Sequence, residues 1–407
     1  MGKRIISVLL AFLMLLVCNQ VVYAAVLYED GYQLYEPDDV DVDVNASKPA
    51  DGLPVTVQAK AAVLMDFTSG KILLEKNAKE KLYPASVTKI MSLLLIAEAI
   101  DRGELRLTDE ITTSTNASSK GGSQIWLKEG ETMSAEDLLK AVAVYSANDA
   151  CTALGEHIAG SSEAFVNRMN DRAKELGMKD TYFVNCTGLD DDTTEHLTTA
   201  YDVALMSRAL LQHEWITRYT TIWMDSVRGG ATELVNTNKL IRFYEGATGL
   251  KTGTTNKAGC CVSASAKRGE THLIAVVMGS ENSKARFDGA RSMLNWGFAN
   301  YETVTPKIDP TQITNVHVIK GVTDTVTPQI PKTVSVLIPK GKADEITQDI
   351  QICVDAEAPV EKGQILGKVQ MKLGEEILGE YALTSPFCVE KLTIPILFRR
   401  LIGIFAQ

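Results

Sequence analysis

Between Ala61 and Lys76 the chain carries two short apolar runs, Ala61–Asp66 and Ile72–Lys76, around Thr68-Ser69-Gly70, a pattern that predicts a β-hairpin. A different rhythm follows. Ile90, Met91, Leu93, Leu94, Leu95, Ile96, Ala97 and Ile100 are interrupted by neither Gly nor Pro before Gly103, and predict a buried helix of about 15 residues. Ser134-x-x-Asp137 predicts a capped helix running to about Val144. Phe165–Leu176 predicts another, stopped by Gly177, and Thr199-x-x-Asp202 opens a third that reaches Leu211. The rhythm then returns to strands, at Ala247–Thr255, Cys261–Ala266 and His272–Met278, before a last helix from Ser283 to Phe298. A strand hairpin, a helical insert, three strands and a terminal helix predict an antiparallel sheet covered by helices, an α+β domain.

Beyond Tyr301 the pattern becomes short Val-, Ile- and Thr-rich segments, Val316–Ile319, Thr333–Ile338, Ile350–Val354 and Ile365–Met371, separated by Gly, Pro or Asp turns. They predict a small all-β domain. From Ile394 to Gln407 the spacing is helical again. Arg399, Arg400, Gly403 and Gln407 share a narrow arc, and Leu397, Phe398, Leu401, Ile402, Ile404 and Phe405 take the other side. Such a segment is too short to span a bilayer and suited to lie in one surface, with its arginines at lipid phosphates.

At the other end, Lys3 and Arg4, the apolar stretch Ile5–Val17 and the small-residue site Val22-Tyr23-Ala24 read as a cleaved secretory signal peptide. Residues 25–55 hold eight acids against the single base Lys48, with three prolines, and read as a linker. The expected divisions are therefore 1–24 signal peptide, 25–57 acidic linker, 58–303 α+β domain, 304–388 β-rich domain and 389–407 amphipathic membrane anchor.

Net charge sharpens the picture by exclusion. At −10, with no basic stripe, the chain has nothing to neutralise phosphates, so nucleic acid is not expected as a partner. Of seven cysteines, Cys18 falls in the leader. The spacing of Cys151, Cys186, Cys260, Cys261, Cys353 and Cys388 matches no zinc pattern, so no metal and no cofactor are expected. Some of these could pair in an exported chain, or all could pack as small apolar residues.

Candidate chemistry begins where the long apolar helix begins. Ser86 and Lys89 form a Ser-x-x-Lys motif that puts a hydroxyl and an amine one turn apart. A serine hydroxyl needs an adjacent base, and an ammonium becomes one only when desolvation or a neighbouring cation lowers its pKa. The motif thus predicts a second lysine nearby. Alone it is weak, since a serine cap with a solvated lysine has the same spelling. Two more constellations supply what it lacks: Ser146-Ala147-Asn148 in the break between two helices, and Lys251-Thr252-Gly253-Thr254 on the first of the later strands.

Ser-x-x-Lys, Ser-x-Asn and Lys-Thr-Gly, in this order, resemble the signature of penicillin-binding proteins and serine β-lactamases. The surrounding text, Tyr83-Pro84-Ala85-Ser86-Val87-Thr88-Lys89-Ile90-Met91, Ser146-Ala147-Asn148-Asp149-Ala150, Asn185-Cys186-Thr187-Gly188-Leu189, His196 before Thr199-Ala200, and Gly249-Leu250-Lys251-Thr252-Gly253-Thr254 through Ala258-Gly259, resembles the low-molecular-mass D-alanyl-D-alanine carboxypeptidases, closely over roughly residues 58–300.

The resemblance implies a β-lactamase/transpeptidase-like catalytic domain and a C-terminal module that lifts it off the membrane. It also implies a peptidoglycan stem peptide ending in D-Ala-D-Ala as substrate and β-lactam antibiotics as acylating ligands. The expected place is the outer face of the bacterial cytoplasmic membrane. Carried over residue by residue, Ser86 attacks the penultimate D-alanine carbonyl and Lys89 takes its proton. Ser146 relays a proton to the leaving amine, and Asn148 holds Lys89 and the substrate amide. Lys251 depresses the pKa of Lys89 and steers the substrate carboxylate. Thr252 and Thr254 offer hydroxyls, Gly253 admits an extended peptide, and the backbone N–H groups of Ser86 and Thr254 form an oxyanion hole.

Several residues are set aside. His196 reads as structural, Asp149 as a helix cap, and Gly121–Trp126 as a loop at the cleft border or plain packing. Thr237 stands near a place where relatives carry an arginine for the substrate carboxylate. Two other functions share parts of the pattern. A serine β-lactamase would need a glutamate-positioned water for fast deacylation, and a non-catalytic wall-binding protein would not need the intact catalytic set.

Overall fold

The computed structural model of the chain describes residues 53–189 and 193–398. The leader, nearly all of the acidic linker and the last nine residues of the expected anchor lie outside the described residues.

Strand β1, Ala61–Asp66, is buried at every position because both faces of its sheet are covered. Ala61, Val63 and Met65 face one apolar cluster, and Ala62 and Leu64 the other. It turns into β2, Ile72–Lys76, where Asp66 accepts hydrogen bonds from the Ser69 backbone and hydroxyl at the hairpin. The apolar run that follows forms helix α1, Lys89–Asp101, buried almost throughout. An apolar stripe on one side would make a surface helix; apolar positions all round make this the central one.

The insert supplies α2, Asn148–Ala159; α3, Ser162–Glu175; and α4, Ala200–Leu211. The caps foreseen at Ser134 and Thr199 are in place, each hydroxyl accepting from the backbone N–H three residues on. Strands β3, Ala247–Thr255; β4, Gly259–Arg268; and β5, Thr271–Ser280, complete an antiparallel sheet ordered β2-β1-β5-β4-β3. Helix α5, Ser283–Asn300, covers its second face, and α1 and α4 lie with the first. Strand β3 is the edge, and it is there that the site is built.

At Tyr301 the chain passes without a linker from α5 into β6, Tyr301–Val304, and an all-β region. Its strands are β7, Val316–Ile319; β8, Thr325–Val326; β9, Val336–Pro339; β10, Ile346–Ile352; β11, Asp355–Glu357; β12, Ile365–Leu373; and β13, Glu376–Thr384. They pair as β6-β9, β8-β7-β11 and β10-β12-β13, with β7 and β11 parallel. Two small apolar clusters fill this region. It meets the first hairpin through the ion pair of Lys71 with Glu376, and β6 is tied to β5 by the Thr303 N–H on the Thr271 hydroxyl. The last described residues form a short helical turn on which Ile394, Leu397 and Phe398 are exposed.

Candidate active site

Ser86 does not sit inside α1, as the motif's spacing suggested, but in a 3₁₀ turn, Ala85–Thr88, that leads into it. The difference matters for reach. With three residues per turn, side chains at i and i+3 eclipse, so Lys89 stands directly in line with Ser86. The Lys89 amine donates to the Ser86 hydroxyl at 3.0 Å and to the Thr187 carbonyl at 2.8 Å. Burial lowers the Lys89 pKa to about 8, against the opposing pull of the nearby Cys151, Cys186 and Asp149.

The turn itself is fastened from the opposite wall. Val184 N–H donates to His196 Nδ1, which leaves the proton on Nε2 for Thr88 Oγ1 at 2.9 Å. His196 is thus a buried strut between the 184–189 loop and the nucleophile turn. Gly188 packs so tightly beneath Ala85 that a Cβ there would lie 1.8 Å from the Ala85 carbonyl oxygen.

Ser146 and Asn148 arrive from the insert. One turn of π-helix, Ala141–Tyr145, ends at Ser146 with φ +68°, a left-handed conformation uncommon for a residue other than glycine. Its hydroxyl is buried and has no partner among the described residues. Asn148 opens α2 and donates from Nδ2 to the Gly121 carbonyl at 2.6 Å, while its Oδ1 is buried and unpaired among the described residues. Asn148 therefore does not hold Lys89, contrary to expectation. The Thr187 carbonyl takes that place.

Asp149 departs from expectation as well. Besides Ala150 N–H it accepts from the backbone of Ile125 and Leu127, so it pins a loop more than it caps a helix. That loop does border the motif: Asn148 N–H reaches the Ser123 carbonyl, and Trp126 stands exposed with φ +60°.

The third side is β3. Gly253 is buried against the nucleophile turn, and a Cβ on it would lie 2.8 Å from Ser86 N and 2.9 Å from Pro84 O. Only a residue without a side chain lets the edge strand approach this closely. Lys251 is fully buried with no hydrogen-bond partner among the described residues. Its pKa lies well below the usual lysine value, first through burial and then through repulsion from Lys89. The two-lysine arrangement is present, and burial is the first cause that lowers the pKa of each.

Thr252 donates its hydroxyl to Thr237 Oγ1 at 2.8 Å, and Thr237 N–H binds the Val144 carbonyl. These contacts join β3 to the Ser146 turn. Thr254 is exposed on the same edge strand, one residue beyond Gly253.

One residue had no sequence signal. Arg286, in the first turn of α5, is 8 % exposed and donates from Nη1 to Gly253 O, Thr254 Oγ1 and Cys261 O, and from Nη2 to Ser283. It has no carboxylate partner among the described residues, and burial lowers its pKa. A permanent cation thus sits behind the Gly253-Thr254 edge. Buried polar groups are normally paired, so the Ser146 hydroxyl, Asn148 Oδ1 and Lys251 Nζ, without partners among the described residues, fit a reactive centre. No group of residues that could hold a metal occurs among the described residues.

Comparison with known proteins gives the same direction. Residues 44–282 match the family model described as D-alanyl-D-alanine carboxypeptidase, and residues 301–391 match the C-terminal domain of penicillin-binding protein 5. The D-alanyl-D-alanine carboxypeptidase DacF of Bacillus subtilis (strain 168) is 40% identical over 350 residues, 85% of this chain and 90% of its own length. Penicillin-binding protein 5 from Haemophilus influenzae superposes with a TM-score of 0.72 at 30% identity, over 83% of this chain and 99% of that one. Penicillin-binding protein D2 from Listeria monocytogenes, in its ampicillin-bound form, is 32% identical with a TM-score of 0.55, covering 60% of this chain and 99% of that one.

Proposed function

This chain belongs to the D-alanyl-D-alanine carboxypeptidase family, and on that premise we propose a division of labour among its site residues. The reaction removes the terminal D-alanine from a peptidoglycan stem peptide through an acyl-enzyme, and β-lactams acylate the same site. Neutral Lys89 takes the Ser86 proton as the hydroxyl attacks the penultimate D-alanine carbonyl. The oxyanion is received by the backbone N–H groups of Ser86 and Thr254, with the Arg286 cation behind the latter adding to the field.

Ser146 passes a proton to the departing D-alanine amine, and Asn148 offers Oδ1 to the substrate amide. The substrate carboxylate rests on the Thr252 and Thr237 hydroxyls, with Lys251 steering it in. Water then releases the acyl group. The observation that carries this reading is the Lys89 amine at 3.0 Å from Ser86 Oγ, with its pKa lowered to about 8.

The deciding experiment incubates the purified protein with diacetyl-Lys-D-Ala-D-Ala and, separately, with penicillin, following free D-alanine and the lifetime of the adduct on Ser86. Released D-alanine and a long-lived penicilloyl adduct, both absent in Ser86→Ala, are expected. Fast penicillin turnover without D-alanine would make the chain a β-lactamase, and neither reaction would make it a wall-binding protein.

The reading extends to placement. Residues 1–24 direct export and are cleaved off after Ala24, the catalytic part spans 58–303 and the β-rich part 304–388. Residues 389–407 lie on the outer face of the cytoplasmic membrane as a peripheral anchor. Exposure of Ile394, Leu397 and Phe398 at its start supports this. No helix among the described residues is long and apolar enough to cross a membrane.

A further inference from the structure

Next to Lys89 stand two thiols with no part in the chemistry above. Cys151 projects from the first turn of α2 and donates to the Cys186 carbonyl at 3.3 Å, and each thiol acts on the other's charge. Both are free, and both lie near enough to Lys89 to act on its charge.

Their position in the chain gives them leverage. The Cys186 carbonyl accepts from Ser92 of α1 at 2.7 Å, and the very next carbonyl, that of Thr187, holds the Lys89 amine at 2.8 Å. Any change at the Cys186 side chain is therefore transmitted to the base through one peptide unit.

The pair is also reachable. A cavity of about 250 Å³ is lined by Lys120, Thr152, Glu163, Asn185, Cys186 and Thr187, among others, so reagents meet Cys186 before Cys151. The Cys151 thiol as partner, and after it Thr152 and the ammonium groups of Lys89 and Lys120, hold the Cys186 pKa down against burial, which favours the nucleophilic thiolate.

We propose that Cys186 and Cys151 form a modification site at which small disulfides entering this cavity generate an intramolecular disulfide, and that this linkage slows acylation of Ser86 by drawing the Thr187 carbonyl away from Lys89. The exchange balances without another reactant. The Cys186 thiolate attacks one sulfur of the small disulfide, forming a mixed disulfide and expelling one thiolate. The Cys151 thiolate then attacks the Cys186 sulfur and expels the second. The two cysteines are oxidised by two electrons, the reagent is reduced to two thiols, and these take up the two cysteine protons.

The test treats the full chain, purified reduced, with oxidised glutathione, then maps disulfides in a digest and measures acylation by a fluorescent penicillin. The expected result is a cross-link between the Cys151 and Cys186 peptides and acylation slower by about 100-fold, the scale of a misplaced catalytic group, restored by dithiothreitol. Cys151→Ser retains one glutathione at Cys186, and Cys186→Ala forms neither linkage nor adduct. Modification confined to exposed Cys353 and Cys388, or a cross-link with unchanged acylation, would overturn the proposal. Only the acylation measurement rests on the site reading above. Ser86→Ala still forms the cross-link, and if that variant is still acylated, it is the site reading that fails.

Discussion

Lys89 donates to the carbonyl of Thr187 at 2.8 Å while it points at Ser86, so the base is aimed by a main-chain group and not by another side chain. Main-chain aim has a chemical consequence. A carboxylate partner would hold the proton on Lys89, whereas a carbonyl orients the amine and adds little to its basicity, leaving burial to lower the pKa.

The pH dependence follows. Acylation requires neutral Lys89, so the rate of penicillin acylation should rise with pH through about 8 and level off above it. Stability moves the same way. The unfolded chain keeps the lysine proton up to 10.5 and the folded chain only to about 8, so in that window the unfolded state binds more protons and stability increases with pH. Stopped-flow acylation across pH checks the first statement. A rate independent of pH from 6 to 10 would remove Lys89 from the base's role.

Gly253→Ala tests the closeness of β3 to the nucleophile turn. The new methyl meets Ser86 N, Pro84 O and Ala85 Cβ within 2.9 Å, and two of these are backbone atoms that cannot swing aside. Acylation should fall by about 100-fold, with the far-ultraviolet circular dichroism unchanged. Undiminished acylation would show that the strand is not the second wall of the oxyanion hole.

Thr237→Val tests the carboxylate seat. The replacement keeps shape and removes the hydroxyl that accepts from Thr252. KM for the D-Ala-D-Ala peptide should rise about 10-fold with kcat little changed, the lower range for one hydrogen bond to a charged group. An unaltered KM would move the seat elsewhere.

Arg286→Met separates activity from stability. The substitution frees Gly253 O and Thr254 Oγ1, so acylation should fall by about 100-fold. It also removes a buried cation that has no carboxylate partner among the described residues, a gain offset by leaving Gly253 O and Cys261 O without their donor, so the thermal midpoint should change little. A lower midpoint with unimpaired acylation would make Arg286 a strut only.

Truncation after Lys391 tests the anchor. The shortened chain should appear in the soluble fraction with penicillin acylation intact. If it sediments with membranes as the full chain does, the amphipathic segment is not what holds it.

Much of this was legible because side-chain identity and period carried it. Ala61–Asp66, Ile72–Lys76 and Ala247–Thr255 occur at the residues their patterns named, and Ser86, Lys89, Ser146, Asn148 and Lys251 announce themselves by type and spacing. What escaped carries no such mark. The Thr187 carbonyl is backbone and would read the same under any residue name. Arg286 lies 33 positions after Gly253 and reaches its carbonyl only because α5 folds back over the sheet. Strand β13 was hidden by Gly379 in its interior, and β7 pairs in parallel with a strand 36 residues further on, which no local turn signal foretells.

Helix α1 is apolar on every side, and this bears on how such a protein can change under selection by antibiotics. A one-sided helix offers a solvent face on which substitutions accumulate at little cost. Here Ile90, Met91, Leu93, Leu94 and Ile96 are each enclosed, so a variant that altered the nucleophile's mounting would lose the fold with it. Tolerance to penicillin that spares the wall peptide has to be assembled outside this helix, at exposed positions such as Trp126 and Thr254, leaving the foundation of Ser86 untouched.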